Sequence, residues 1–141
     1  MSYPMAQEEE LAKEINRIAK EYGVTVLGTG INPGLIMDLL VITLTGACID
    51  VEGIKAERVN NLSPFGPAVM REQGVGLKLD EFNKKLEEGT LAGHVGFPES
   101  INMIADALGW KLSDDIKLSM TPIVSNVCRK APYAQVQAGD V

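Results

Sequence analysis

The 141-residue sequence has few aromatic residues, one histidine and two cysteines, and each shortage excludes a class of function. Aromatic residues make up 5%, and 19 acidic residues outnumber 13 basic ones. The chain therefore offers neither a base-stacking surface nor a basic footprint for nucleic acid. His94, Cys48 and Cys128 cannot provide the roughly four clustered ligands of a zinc site. We expect no bound metal, and we expect both cysteines to be buried free thiols.

No run of apolar residues approaches the length of about 18 that a membrane span needs. The chain begins with an acidic cluster, Glu8 to Glu10, which is the reverse of the basic start of a signal peptide. Apolar residues make up 45% and charged residues 23%, as in an ordinary globular domain. These features predict a cytoplasmic protein with no membrane contact.

Hydrophobic spacing predicts a mixture of helices and strands. Strands are expected over residues 24–27, 49–61, 116–124 and 133–136, and helices over 6–22, 35–44, 68–72, from Asp80 to just before Gly89, and from Pro98 to Gly109. The 35–44 helix is apolar on nearly every side, so we expect it to be buried on more than one face, either in its own domain or against a neighbour. Its one charge, Asp38, is either a buried hydrogen-bonded partner or a site for a substrate ammonium group.

A glycine pair, Gly28 and Gly30, lies between the first predicted strand and the next helix. Such a pair is typical of a dinucleotide-binding turn, and Asp50 lies about twenty residues on, where a ribose-binding acid is expected. However, Pro33 stands where the third glycine belongs, and it removes one N–H group from the helix start. The pattern favours a structural turn over a phosphate cradle.

Three blocks of residues resemble the later half of the 2,4-diaminopentanoate dehydrogenase family, which is related to the dihydrodipicolinate reductases. The blocks are Gly28-Thr29-Gly30-Ile31-Asn32-Pro33-Gly34 with Met37-Asp38, then Glu57-Arg58-Val59-Asn60-Asn61, and finally His94-Val95-Gly96-Phe97-Pro98-Glu99-Ser100. The resemblance implies an α+β fold, in which helices pack on one face of a mixed β-sheet. Residues 1–30 are then the last helix and strand of a missing Rossmann half, and residues 31–141 a substrate-binding and oligomerisation domain truncated at its C-terminal end.

The implied reaction is oxidative deamination of 2,4-diaminopentanoate to 2-amino-4-oxopentanoate in ornithine breakdown, with NAD or NADP as the hydride acceptor. The implied partners are the small amino-acid substrate, the missing Rossmann half and further copies of the chain. The part of the cofactor site that binds phosphate lies in the missing half, so the 141-residue chain alone is expected to be inactive. In the related reductases, the stretch beside the nicotinamide ring matches Gly28, Thr29, Gly30 and Asn32.

The substrate side of the site departs from the reductases. They carry a His-His pair, a lysine and a carboxylate-binding loop where this chain has Glu57-Arg58-Val59-Asn60-Asn61. The missing lysine argues against reduction of a cyclic imine, but a polar pocket at this position remains plausible.

Oxidation of an amine needs a base, and this substrate also needs a cation for its carboxylate and an anion for its second ammonium group. His94 is the candidate base because its ordinary pKa lies near neutrality. Arg58 is the candidate carboxylate ligand. The candidate ammonium ligands are Glu57 and Glu99, and Asn60 and Asn61 are candidates to orient the substrate.

Each of these residues has a structural alternative: a packed histidine, a surface ion pair or a pair of turn-forming asparagines. Three other functions remain open: a non-catalytic binding or dimerisation module, another reductase-like amino-acid dehydrogenase, and a nucleotide site formed by residues 28–34 alone.

Overall fold

Five α-helices carry most of the regular structure in the computed structural model, which describes residues 2–6, 8–113 and 115–141. They are α1 (Glu9–Glu21), α2 (Leu39–Thr45), α3 (Pro67–Glu72), α4 (Leu79–Glu87) and α5 (Phe97–Leu108). A 3-10 turn, Pro4–Ala6, precedes them, and an antiparallel hairpin of β1 (Arg129–Lys130) and β2 (Gln135–Val136) follows. In the hairpin, Arg129 is opposite Val136 and Lys130 is opposite Gln135.

The chain forms two compact units. The first contains the described residues up to Arg58 together with Gly96–Ile116, and the second contains Val59–Val95 and Lys117–Val141. Helices α1, α2 and α5 belong to the first unit, while α3, α4 and the hairpin belong to the second. The predicted division at residue 30 stays a prediction.

Helix α5 is the centre of the first unit. Gly96 precedes it and Gly109 ends it in a left-handed conformation with φ of 67°, which confirms the predicted helix and its end. The N-terminal segment is bound to α5 by two side-chain hydrogen bonds. Ser2 Oγ donates to Glu99 Oε2 at 2.8 Å, and the Tyr3 hydroxyl donates to the Asp106 carboxylate. The bond to Asp106, aided by burial, raises the pKa of Tyr3 to about 12.

The second helix is shorter than predicted. Residues 31–38 form turns, and α2 begins only at Leu39, because Asp38 accepts the Leu39 N–H group as a helix cap. Burial of this helix on more than one face is not seen within the described chain, and its burial against a neighbouring domain stays a prediction. None of its residues is buried, and Leu39, Leu40 and Leu44 are between 43% and 63% exposed.

The expected mixed sheet is not observed among the described residues, whose one sheet is the β1–β2 hairpin. Residues 24–27, 49–61 and 116–124 form no strand, and most of their apolar side chains are exposed: Leu27 is 78% exposed, Val59 98% and Ile123 85%. A strand needs a neighbour to take its backbone hydrogen bonds, and these segments have no such neighbour in the described chain. The last predicted strand is confirmed in part, since residues 135 and 136 pair in the hairpin.

Both cysteines are free thiols, but the expectation that they are buried is wrong. Cys48 follows the end of α2 and Cys128 lies just before β1, and both are exposed. The Cys128 thiol donates to Gln137 Oε1 at 3.0 Å. The expectation came from the usual burial of free cysteines, but each of these lies near the end or the start of a regular element.

The second unit has a small core around Phe82, which is 2% exposed, with Met70 and Leu91 also buried. Phe82 projects from α4, as its spacing predicts, although Lys78 rather than Asp80 precedes the helix and Asp80 lies in its first turn. Gly74, with φ of 74°, has no room for a side chain, because a Cβ atom there would lie 2.7 Å from the Phe82 ring.

The C-terminal residues close the second unit. The Val141 N–H group donates to the Leu77 carbonyl at 2.9 Å, and the Gly76 N–H group donates to the Val141 carbonyl at 2.7 Å. The Asp140 carboxylate accepts from Lys78 Nζ at 2.5 Å and from the Gln137 N–H group at 2.9 Å. These two donors hold the pKa of Asp140 below its ordinary value.

The hydrogen bonds of Asp140 make the stability of the second unit depend on pH. A carboxyl group whose pKa is lower in the folded state stabilises the fold above its unfolded pKa, near 3.8, and loses this contribution as the pH falls through the folded value. We expect Asp140→Asn to lower the midpoint of thermal unfolding at pH 6 and to flatten its fall below about pH 4. Asp50→Asn, at an exposed aspartate of the first unit, is the control. Equal pH profiles for the two variants would contradict this role of Asp140.

Candidate functional site

In the turn that joins residues 24–27 to α2, backbone atoms of the turn pack closely against one another. We call residues 28–38 the Pro33 turn; its Asn32-Pro33 peptide bond is cis. A Cβ atom at Gly30 would lie 2.0 Å from the Pro33 carbonyl oxygen, and one at Gly34, where φ is 124°, would lie 2.5 Å from the Gly30 nitrogen. Both positions therefore require glycine. The space beside these glycines is filled by the turn's own backbone, so the structural-turn alternative fits and the phosphate cradle does not.

Asp38 closes the Pro33 turn from inside and is 0% exposed. Its Oδ2 atom accepts from the Gly34 N–H group at 2.7 Å and from Ser100 Oγ at 2.8 Å. Its Oδ1 atom accepts from the Leu39 N–H group at 2.7 Å. These three hydrogen bonds replace the water molecules that a carboxylate loses when it is buried. Of the two alternatives for Asp38, the structure supports the buried hydrogen-bonded partner.

The Pro33 turn packs directly against the start of α5. A Cβ atom at Gly96 would lie 2.3 Å from Pro33 Cδ, so the proline ring rests on the bare glycine backbone. The Asp38–Ser100 hydrogen bond joins the same two segments one helical turn further on. The first and third blocks of the sequence resemblance, far apart in the chain, therefore meet in one buried cluster.

The residues predicted to lie beside the nicotinamide have different surroundings. Gly28 and Thr29 belong to an exposed extended segment, and within the described residues neither takes part in a hydrogen bond. Gly28 also lines an apolar groove of about 620 Å³ between α1 and residues 24–28. Gly30 is fixed by the turn, and Asn32 is half-buried beside Pro33. The backbone groups of Gly28 and Thr29 are thus available to a ligand.

Most of the predicted substrate ligands lie on an exposed stretch. Glu57 forms an ion pair with Lys55 at 3.1 Å, both side chains being largely exposed, and Arg58 ends the first unit. Asn60 and Asn61 begin the second unit. Asn61 Oδ1 accepts the Ser63 N–H group at 3.0 Å, which is the geometry of a turn-forming asparagine.

The third block contributes two predicted residues in different settings. Glu99 is 3% exposed and lies in the first turn of α5, where it accepts the hydrogen bond from Ser2. His94 is half-buried in the second unit, two residues before Gly96. The Gln73 amide donates to the carbonyl of the preceding residue, Gly93, at 2.7 Å, which fixes the backbone next to the histidine.

Sequence reasoning missed two members of the cluster, Gly96 and Ser100. The sequence did hold a sign of the role of Ser100, which follows Pro98 and Glu99 in the first turns of a predicted helix. A short hydroxyl side chain there commonly forms a hydrogen bond with the backbone or with a nearby carboxylate. Nothing in the sequence indicated that its partner would be Asp38, which lies 62 residues away.

The described residues contain no group of three or more His, Cys, Asp or Glu side chains that could hold a metal ion. None of the helices in this part of the chain is long and apolar enough to cross a membrane.

Comparison with known proteins gives two findings. The 2,4-diaminopentanoate dehydrogenase C-terminal domain family matches residues 35–141. The chain is also 70% identical, over all 141 of its residues, to the 2,4-diaminopentanoate dehydrogenase of Acetoanaerobium sticklandii. It spans only 40% of the length of that relative.

The contact between Gly96 and Pro33 can be tested by adding one methyl group. Gly96→Ala should lower the free energy of unfolding of the chain by about 2 kcal/mol, because the proline ring cannot move aside as a flexible side chain could. Gly66→Ala is a matched control, since Gly66 also precedes a helix but a Cβ atom there would meet nothing within 4 Å. Both variants lose the preference of an N-cap for glycine over alanine, so the control should cost about 1 kcal/mol at most and clearly less than Gly96→Ala. Equal effects in thermal or urea unfolding would show that the contact is not tight.

Proposed function

The chain belongs to the family of 2,4-diaminopentanoate dehydrogenase C-terminal domains, and from this premise we propose that it forms the substrate-binding and oligomerisation part of an NAD(P)-dependent dehydrogenase. The proposed substrate is 2,4-diaminopentanoate, an intermediate of ornithine degradation. The observation that carries the proposal is 70% identity, over the whole chain, to a relative that bears this enzyme's name.

The proposed reaction converts a primary amine to a ketone. The carbon that bears the amine loses a hydride and the nitrogen loses a proton, which gives an imine; water then adds to this imine and ammonia leaves. One amine, one oxidised cofactor and one water thus give one ketone, one ammonia, one reduced cofactor and one proton. The nicotinamide cofactor, when bound, supplies the hydride acceptor. The chain must therefore hold the amine, take its proton and admit one water molecule.

The Pro33 turn is the proposed contact for the nicotinamide end of the cofactor. Gly28 and Thr29 have backbone N–H and C=O groups without partners in the described residues, and such groups match the donors and acceptors of a carboxamide. Gly30 and Asn32 belong to the same short stretch. Because the space beside Gly30 and Gly34 is filled by the turn's own backbone, we assign the cofactor phosphates to the remaining part of the complete enzyme.

The proposed substrate contacts follow from the chemistry of the diamine. His94 takes the proton from the amine, Arg58 binds the carboxylate, and Glu57 or Glu99 faces the second ammonium group, while Asn60 and Asn61 orient the substrate. The packing of Pro33 on Gly96 supports the assignment of Glu99, because the turn then adjoins the start of α5, which carries this residue.

We also propose that the missing part of the enzyme covers the unpaired apolar segments of this chain. Val26 is 61% exposed and Leu27 78%, beside the groove of about 620 Å³, although both lie in a segment rich in strand-forming residues. A preceding Rossmann half would place its last strand here. Residues 49–61 and 116–124 would complete the mixed sheet, which a second copy of the chain would cover. Such large exposed apolar stretches are typical of surfaces that become buried on assembly.

A chimaera tests the proposal most directly. This chain replaces the matching two fifths of the Acetoanaerobium sticklandii relative, and reduction of NAD and NADP is followed with 2,4-diaminopentanoate. We expect turnover within about tenfold of the unaltered relative, since the exchange keeps 70% of the residues. We expect no turnover from the 141-residue chain alone. A folded chimaera that binds cofactor but never turns over would favour a binding and dimerisation module, and faster oxidation of a different amino acid would favour another reductase-like dehydrogenase.

The role of Arg58 gives a sharper prediction in the same chimaera. Arg58→Ala should raise the KM for 2,4-diaminopentanoate by tenfold or more, because a bidentate charged contact is lost. The same variant should oxidise 1,3-diaminobutane, which lacks the carboxylate, as fast as the unsubstituted chimaera does. Lys55→Ala, which removes a neighbouring exposed cation, is the control and should leave both KM values unchanged. Equal losses with both substrates would contradict the assignment of Arg58 to the carboxylate.

A further inference from the structure

Asp38 is a charged group with no part in the chemistry proposed above, yet it is completely buried. A carboxylate is costly to bury unless donors replace its hydration. Here three donors do so, two backbone N–H groups and one hydroxyl, at 2.7 to 2.8 Å. An apolar residue or a simple surface cap would have served to begin α2. The arrangement therefore calls for an explanation beyond capping.

The three donors come from three different segments of the first unit. Gly34 belongs to the Pro33 turn, Leu39 is the first residue of α2, and Ser100 lies in α5. A single atom, Asp38 Oδ2, accepts from both Gly34 and Ser100. Movement of the turn relative to α5 must therefore stretch a hydrogen bond to this atom. The pair formed by Asp38 and Ser100 fixes the distance between two segments that contribute to the proposed site.

From this geometry we infer that Asp38 and Ser100 are positioning residues that hold the Pro33 turn, the proposed nicotinamide contact, at a set distance from α5, which carries Glu99, a proposed substrate ligand. The inference rests on the proposed function. Neither side chain can touch a ligand, because Asp38 is 0% and Ser100 3% exposed. Hydride transfer needs the donor and acceptor carbons about 3 to 3.5 Å apart, and a displacement of about 1 Å can cost roughly 100-fold in rate. A buried hydrogen bond that fixes the turn therefore acts on the rate of the chemical step.

The test uses the chimaera described above, with Ser100→Ala, Asp38→Asn and the double variant. Ser100→Ala removes the bond to α5 but leaves the cap on α2 in place. We expect it to lower kcat by about tenfold or more and to raise the primary deuterium isotope effect on kcat, measured with substrate deuterated at the oxidised carbon. The isotope effect rises because hydride transfer becomes more fully rate-limiting. The double variant should be no slower than Asp38→Asn alone, since the two side chains share one bond.

Ala105→Gly is the matched control. Ala105 is buried in the same helix, and the substitution weakens α5 without removing the Asp38–Ser100 bond. A merely structural role for Ser100 predicts that both variants lose activity only in proportion to the unfolded fraction, with the isotope effect unchanged. The positioning role predicts a raised isotope effect for Ser100→Ala and an unchanged one for Ala105→Gly.

Two results overturn the inference, and they are distinguishable. In the first, kcat is corrected for the folded fraction, and the Ser100→Ala and Ala105→Gly chimaeras then have the same kcat and the same isotope effect. This result excludes the positioning role and leaves the proposed function intact. A folded unsubstituted chimaera with no dehydrogenase activity overturns the proposed function and the positioning role with it.

Discussion

The first unit depends on one buried carboxylate. Asp38 has no cation beside it among the contacts described, and donors from the Pro33 turn, α2 and α5 replace its hydration. Removing any donor would leave a buried charge short of a partner, which is among the costlier defects in a protein interior. Asp38 therefore links the positions of the three segments, in a unit whose apolar core is small.

Close backbone packing reinforces the constraint. Gly30, Gly34 and Gly96 all lie where a Cβ atom would meet the Pro33 turn at 2.0 to 2.5 Å. The turn therefore leaves no cavity beside Gly30 or Gly34 for a phosphate group, in contrast to a dinucleotide-binding loop, whose glycines allow the close approach of the ligand. The glycines of this pattern, in which a strand-like segment, two glycines and a helix follow one another, thus allow close packing of the turn rather than the approach of a phosphate. This packing builds a rigid joint between two segments of the proposed site.

Local signals predicted the helices well. Pro98 and Gly109 mark the ends of α5, and the apolar spacing around Phe82 marks α4, because the start, end and inward face of a helix are encoded within a few residues. The strands were not predictable in the same way. Residues 24–27 have strand-forming side chains, but a strand exists only with a partner, and a partner from outside this chain cannot be read from its sequence. The exposure of Cys48 and Cys128 has a similar origin, since burial depends on what covers a segment.

The candidate site was predictable in part. The first and third matching blocks identified the Pro33 turn and the start of α5, and the structure brings these two together. The burial of Asp38 was one of two alternatives in the sequence, but its partner Ser100 was not predictable, nor was the burial of Glu99 beside Ser2, because both partners are distant in sequence.

Amide hydrogen exchange of the 141-residue chain, followed residue by residue by NMR, tests the central constraint most directly. Gly34 lies in a turn, where an unbonded amide exchanges at the rate of an open loop. If the Asp38 carboxylate holds the three segments together, the Gly34 and Leu39 amides exchange as slowly as the amide of Ser100 inside α5, and all three lose protection together in Asp38→Asn. Fast exchange at Gly34 and Leu39 beside a protected Ser100 would show that the turn opens independently of the helix, which contradicts the account.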